Sequence, residues 1–420
     1  MSEKRKADQK PVQSRLNKNF SLKIQTDSCN LKETVIVLDG ALGAVLSLCR
    51  SAEAHGLQTV VVCIERNRCD IYGHSKYVSA VYYSAVDDLL HTFTEICTHC
   101  QVKGKPLLLF TADIYCMIVN KRRACFDRIV TLCMPSSEII DGFCYKNKAG
   151  DMAKANGLTV PRTTCINDMQ DVEKVADTFT FPVIIKPLSV EHGEQIGFKY
   201  KILNRNGFMQ EDLWNSLSGN LLCQEYIPGS DNSYWFYVFF RSGQGDVTEC
   251  MGVKTMQSNG IMAVGTTRYK PEPSATVGTT RYNPELAQVA REFLKRIGYV
   301  GIGGIEYKQC NGAYYFIEMS TRTEGFLPIS DMAGVSIADA AFQYYRTGET
   351  PCKESRQRDG IRYISVLSAV AEVLRRKNVK TVMRALLLLL FSRKGYWVEC
   401  FFRDGTYVRY IRQIIKQKMG

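Results

Sequence analysis

Between Gly301 and Arg322 the chain reads GIGGIEYKQCNGAYYFIEMSTR, with alternating runs GIEYK and AYYFIEM on either side of Asn311-Gly312. An Asn-Gly pair accepts the positive φ values of a two-residue hairpin, so this stretch is constrained to two adjacent antiparallel strands. The alternation sets Glu306 and Glu318 among aliphatic and aromatic neighbours, where a lone carboxylate is costly. Two carboxylates on neighbouring strands, with no evident basic partner between them, suit a hard cation such as Mg²⁺. The plain alternative has both facing solvent on one side of the sheet. The rest of the chain decides between these.

A length of 420 residues suffices for two or three domains with sizeable cores. The 45% hydrophobic and 23% charged content is that of an ordinary soluble protein. No run reaches the roughly 18 apolar residues of a spanning helix. Residues 1–30 begin MSEKRKADQK, polar and charged without an apolar core. They are expected to be a disordered lead-in and not a secretory leader, which points to the cytoplasm. The 16 cysteines are scattered, so reduced thiols are expected. Cys97 and Cys100 form a CxxC without a second pair at zinc spacing, against the plainer reading of a helix end.

From Thr34, the strand TVIVLD, a turn at Gly40-Ala-Leu-Gly43, a helix to about His55 and the strand QTVVVC form a βαβ unit. That order implies a parallel sheet, joined by PLLLFT from Pro106. The turn lacks the full GxGxxG pattern, so a structural α/β lobe over 31–145 is preferred to a dinucleotide site. A second unit, 146–350, begins with a helix at Lys146-Asn147-Lys148 and continues through FPVIIKP, FKYKIL, LLCQEYIPG and SYWFYVFF. VGTTRY occurs at Val264 and again at Val277, read as a local duplication in a loop. The helix NPELAQVAREFLKRIGY then leads to the opening hairpin.

Lys186 ends a buried strand beside a glycine-containing loop, a setting suited to phosphate, although such lysines are commonly solvated. IIKP, the glycine loop, QEYIPGSD, GIEYK and FIEMSTR follow in an order that resembles the ATP-grasp superfamily of carboxylate–amine ligases. The resemblance spans about Thr34 to Arg346 and includes the entry AKANGLTVPRT. It looks most like the D-aspartate ligase-like branch, whose members often end in a basic tail similar to DGIRYISVLSAV. The implied fold is mixed α/β and α+β. It comprises a Rossmann-like N-terminal lobe, two ATP-grasp subdomains over 146–225 and 226–350, and a basic segment over 351–420.

The resemblance also implies roles. Lys148 and Lys186 match the lysines that contact ATP phosphates; Gln224, Glu225, Tyr226 and Ile227 match the adenine hinge, and Asp231 the ribose contact. Glu306 and Glu318 match the Mg²⁺ carboxylates, with Mn²⁺ as the alternative ion. Arg322 matches the arginine of the E-x-N-x-R pattern, which faces the reacting acyl group. Lys254 matches, more loosely, a basic residue near the γ-phosphate. Ser320 stands where the family has a metal-binding asparagine, which removes one direct ligand. Arg268 and Arg281, one in each VGTTRY copy, could clamp a substrate carboxylate or be solvated loop residues.

The implied activity is an ADP-forming ligase that joins an amine to a carboxylate of a cell-envelope or small-molecule precursor. It would work by positioning and electrostatics. A non-catalytic ATP-binding scaffold docked through its basic tail is the alternative, motivated by Ser320. From Pro351 on, sixteen Lys and Arg face five Asp and Glu, an excess of eleven out of a net charge of +12. No nucleic-acid motif accompanies that charge. RALLLLLFSRK is either a core helix or a surface helix against an anionic membrane or polymer, at the inner face. A homodimer is a further expectation.

Overall fold

The computed structural model describes residues 32–73, 75–188, 201–212, 214, 221–229, 233–256, 276–350, 356–364 and 396–397. The expected lead-in, Asp231, Arg268 and the RALLLLLFSRK segment lie outside these residues.

The first lobe is a parallel sheet of β1 (Thr34–Leu38), β2 (Gln58–Cys63), β3 (Ala80–Tyr83), β4 (Leu107–Phe110) and β5 (Thr131–Leu132), in the order β3-β2-β1-β4-β5. Helices α1 (Leu42–Ala54), α2 (Arg66–Tyr72), α3 (Leu89–His99), α4 (Asp113–Lys121), α5 (Arg123–Phe126) and α6 (Ser137–Phe143) connect and cover it. Strands covered on both faces should read as continuous apolar runs, and VIVL, VVVC and LLLF do. Cys97 and Cys100 fall at the end of α3, where Cys100 is buried with its Sγ 3.5 Å from the Tyr82 hydroxyl.

Helix α7 (Lys146–Ala155) leads into an antiparallel sheet of β6 (Thr163–Ile166), β7 (Val183–Pro187), β8 (Lys201–Leu203) and β9 (Leu221–Glu225), ordered β6-β9-β7-β8. Helices α8 (Met169–Thr178) and α9 (Arg205–Met209) cover one face of it around Val172, Ile185 and Phe208. Its other face carries Lys186 and Gln224.

The third sheet contains β10 (Tyr234–Arg241), β11 (Val247–Met256), β12 (Thr276–Thr280), β13 (Gly301–Cys310), β14 (Ala313–Ser320), β15 (Arg362–Ile364) and β16 (Tyr396–Trp397), ordered β14-β13-β10-β11-β12-β15-β16. Helix α10 (Pro284–Arg296) packs on one face; α11 (Leu327–Ala333) and α12 (Ile337–Thr347) pack on the other. The start of α10 follows its sequence. Asn283 accepts from Leu286 N–H at 3.0 Å, Pro284 takes the first turn, and Leu286, Ala290, Phe293 and Leu294 form the buried stripe.

The hairpin forms as read, with Asn311 at φ 50° and Gly312 at φ 79° supplying the turn. Two expectations change. The second VGTTRY copy is not a loop, because its VGTT lies within β12, paired with β11. Arg362–Ile364, at the head of the basic segment, pairs with β12, so these residues belong to the large sheet and do not stand apart from it. A β-branched, alternating stretch reads as a strand only when a neighbouring edge is open to it, and that neighbour is distant in sequence.

The first lobe and the large sheet share one core, in which Val35, Val37 and Leu48 pack with Phe236, Val238, Phe240 and Phe342. Polar contacts reinforce it. Ser47 Oγ and Arg50 Nη2 donate to Asp331 Oδ2 at 2.5 and 2.6 Å, and Ser51 donates to Asp339. Burial pushes the Asp331 carboxyl up to about 6 in spite of these donors. The folded protein therefore holds a proton here that the unfolded chain releases near pH 4. The associated stability is full below that pH and is lost as pH rises through about 6, amounting to at most about 3 kcal/mol. Asp331→Asn should flatten this part of the pH–stability curve, read by urea denaturation at pH 4.5, 5.5 and 7. An unchanged slope would show that the group titrates normally.

Candidate active site

The open face of the four-stranded sheet meets the edge of the large sheet in a cleft. Lys146, Lys186, Gln224 and Glu318 line a deep part of about 40 Å³, together with Thr163 and Ile317. A wider groove of about 760 Å³ adjoins it, sharing Gly150, Val160, Pro161, Thr163 and Leu222. Lys186 lies on β7 opposite Leu222 and donates from Nζ to Gln224 Oε1 at 2.7 Å. Gln224 Nε2 in turn donates to Thr163 Oγ1 at 3.4 Å.

Lysine placement differs from expectation. Lys148 is exposed, with its ammonium 5.2 Å from the centre of the Tyr145 ring. Lys146, two residues earlier, lines the cleft and donates to Pro187 O at 3.0 Å. Residues two apart on a helix point to opposite sides, so only one of the pair can reach the site. Glu225 is tied to the entry of β6, accepting from Arg162 N–H at 3.1 Å, while Ile227 is buried. Lys308 sits 4.7 Å above the Tyr226 ring.

Glu306 and Glu318 are directly opposed in the β13–β14 register, and a bulge follows Glu306. They lie on the sheet face that carries Phe236, since Phe236 pairs with Glu306. The solvent-facing alternative therefore fails for Glu306, which is largely buried and ion-paired with Lys254. The Lys254 ammonium also lies 4.6 Å from the centre of the Phe326 ring, and Phe326 stacks on Phe236. Arg281 goes to the other face, 5.7 Å from the centre of the Trp235 ring. Trp235 and Phe236 alternate across the sheet, so the structure separates Arg281 from the carboxylates.

Behind Glu318 the loop Thr321–Phe326 completes a charged network. Arg322 Nη2 donates to Asp113 Oδ2 at 3.0 Å, and Nη1 lies 3.2 Å from Glu324 Oε2. The Nε of Arg322 is buried without a partner among the described residues. Glu324 lies over Gly304, where a Cβ would approach its Cγ to 2.4 Å, so only glycine admits this carboxylate. Burial raises Glu306, and Glu318 and Glu324 add to this against the opposing effect of Lys254. Burial alone would also raise Glu324, but Arg322, Lys254 and the Ser320 hydroxyl hold it below the usual range.

Four carboxylates, Asp113, Glu306, Glu318 and Glu324, lie near the cations Lys254 and Arg322, and Lys146 and Lys186 line the cleft beside Glu318. The hard carboxylate oxygens of Glu306 and Glu318, opposed across the hairpin, fit a divalent ion, and the Lys254 ammonium stands in as cation at Glu306. Among the described residues, no three His, Cys, Asp or Glu converge into a closed metal cage. Glu306 and Glu318 would therefore hold Mg²⁺ jointly with oxygens from a ligand.

Residues 251–368 match a family model described as ATP-grasp in the biosynthetic pathway with Ter operon. The biotin carboxylase domain dimer of Hydrogenobacter thermophilus 2-oxoglutarate carboxylase, solved with MgADP, ADP and bicarbonate, aligns at a TM-score of 0.58 and 16% identity, over 80% of this chain and 74% of that one. The fold is ATP-grasp. The L-amino acid ligase of Bacillus licheniformis aligns at a TM-score of 0.53 and 13% identity, over 75% of this chain and 74% of that one. Acetyl-CoA carboxylase of Dictyostelium discoideum is 25% identical over 200 residues, 46% of this chain, and the chain thus spans only 8% of that relative. Among the described residues no helix is long and apolar enough to cross a membrane.

In this ATP-grasp fold the crevice between β1 and β4, where the strand order reverses, would ordinarily receive a ligand. Here the loop after β14 fills it. Thr323 N–H donates to Phe110 O at 3.0 Å, and Arg322 reaches Asp113 at the start of α4. Sequence reasoning missed Lys146, Glu324 and Asp113. Helix phase could have found the first, and Glu324 stands two residues beyond Arg322. Asp113 carried no local signal.

Proposed function

We propose that the chain is an ATP-dependent carboxylate–amine ligase that forms an amide and releases ADP and phosphate. The observation that carries this reading is the meeting of Lys146 from α7 and Lys186 and Gln224 from the four-stranded sheet with Glu318 from the large sheet across a single cleft. Lys146 and Lys186 would grip nucleotide phosphates, and the Gln224–Ile227 strand end would border the base. Mg²⁺ (or Mn²⁺) held by Glu306 and Glu318 would neutralise charge on the phosphate oxygens.

A substrate carboxylate oxygen bonds to the γ-phosphorus as the bond to the ADP oxygen breaks. The amine nitrogen then bonds to the acyl carbon, phosphate leaves with the electron pair of its C–O bond, and the amine's proton passes to solvent. Arg322 would supply the donor that stabilises the oxyanion. Lys254 would move from Glu306 toward transferred phosphate. Relatives with solved structures include an amino acid ligase and a domain bound to MgADP, both consistent with these substrate classes. The partners are a small-molecule carboxylate and an amine, and the dimeric state of the biotin carboxylase domain supports testing for a homodimer.

The test is ADP release across amino acids of both configurations, each paired with acidic acceptors. Release that requires both substrates supports the ligase. MgADP binding without any such release would favour a nucleotide-binding scaffold, the reading motivated by Ser320 in the asparagine position and by the Lys254–Glu306 pair.

A further inference from the structure

We propose that Asp113, contributed by the first lobe, is a positioning residue for Arg322, so that the lobe outside the nucleotide cleft sets the acyl-transfer geometry. The inference rests on the ligase reading above. Asp113 opens α4 and accepts from Arg322 Nη2 at 3.0 Å, while Nη1 donates to Thr323 O at 3.1 Å and faces Glu324 at 3.2 Å. Both terminal nitrogens are thus committed to fixed oxygens, which leaves the buried Nε–H as the donor without a partner among the described residues. A guanidinium held at two points cannot rotate about its final bonds, and the direction of its remaining N–H is fixed.

Two further contacts bring the lobe and the loop together. Thr323 N–H donates to Phe110 O at 3.0 Å, and the Cys116 thiol lies 4.0 Å from Thr321 O. Asp113 makes none of the contacts that line the nucleotide cleft. Its loss should therefore spare nucleotide affinity and impair the step in which Arg322 acts. The role is distinct from a general structural one, because Asp113→Glu keeps the charge and can still reach the arginine.

The experiment compares full-length wild type, Asp113→Asn and Asp113→Glu. MgATP-dependent ADP release gives kcat and KM, titration with MgADP gives nucleotide affinity, and hydrogen exchange reads residues 320–326. Asp113→Asn should lower kcat at least tenfold with KM for ATP and MgADP affinity within twofold, and exchange in 320–326 should rise. Asp113→Glu should recover a third or more of the wild-type kcat. Wild-type kcat in Asp113→Asn, or a loss confined to KM, would overturn the inference alone. A wild type that neither binds MgADP nor releases ADP would overturn the ligase reading and the inference with it.

Discussion

Glu318→Gln is expected to reduce ADP release by about a hundredfold or more, the scale of losing one preorganised electrostatic partner in a phosphoryl-transfer site. Glutamine preserves the shape and removes only the charge. Glu318 faces Glu306 across the hairpin and lines the cleft beside Lys186. In the ligand-free protein its charge raises the carboxyls of Glu306, Glu324 and Asp113. Removing it relieves that repulsion. With Lys146 and Lys186 lining the same cleft, the melting temperature of Glu318→Gln should stay within a few degrees of wild type while turnover collapses. Calorimetry beside an ADP-release assay separates the two effects. Undiminished turnover would remove Glu318 from the site, and a large fall in melting temperature would mark it as structural.

Arg322→Ala should show the opposite pattern, a loss of stability together with activity. Arginine is held high against burial by Glu324 and Asp113, and deleting it leaves both carboxylates in a desolvated setting without their cation. Breaking such a pair from one side costs about 3–5 kcal/mol, well above the median for exposed pairs. The direction with pH follows from the same contacts. Without Arg322 the folded-state carboxyls titrate higher, so the folded variant takes up protons that the unfolded chain does not. Its deficit should therefore shrink as pH falls from 8 to 5. Urea denaturation across that range tests this, and Arg322→Ala combined with Glu324→Gln should recover part of the loss at pH 8. A variant as stable as wild type at pH 8 would mean that the loop carries no such charge burden.

Much of the architecture was legible because its signals are local. Continuous apolar runs marked the parallel strands, Asn311-Gly312 marked the hairpin, and Asn283-Pro284 marked the start of α10. Glu306, Glu318 and Lys186 could be singled out because each sits at a strand position whose environment follows from its neighbours. Arg281 shows where such reasoning fails. Its residue type suits a carboxylate, but the β11–β12 register turns it onto Trp235, and register depends on pairing with a distant strand. The second VGTTRY copy and Arg362–Ile364 became strands for a related reason, since each needed an open edge supplied from elsewhere in the chain.

The periodicity of each element was enough to mark its strands and helices, because backbone propensity and side-chain alternation act over a few residues, and the order of the short motifs carried the resemblance to ATP-grasp. The composition of the charged network was decided only by folding. Lys146 reaches the cleft through the phase of α7, Glu324 enters over the bare backbone of Gly304, and Asp113 meets Arg322 across more than two hundred positions. Coulombic and hydrogen-bonding forces act over a few ångströms of space irrespective of chain separation, and these partnerships exist only once the lobes share a core.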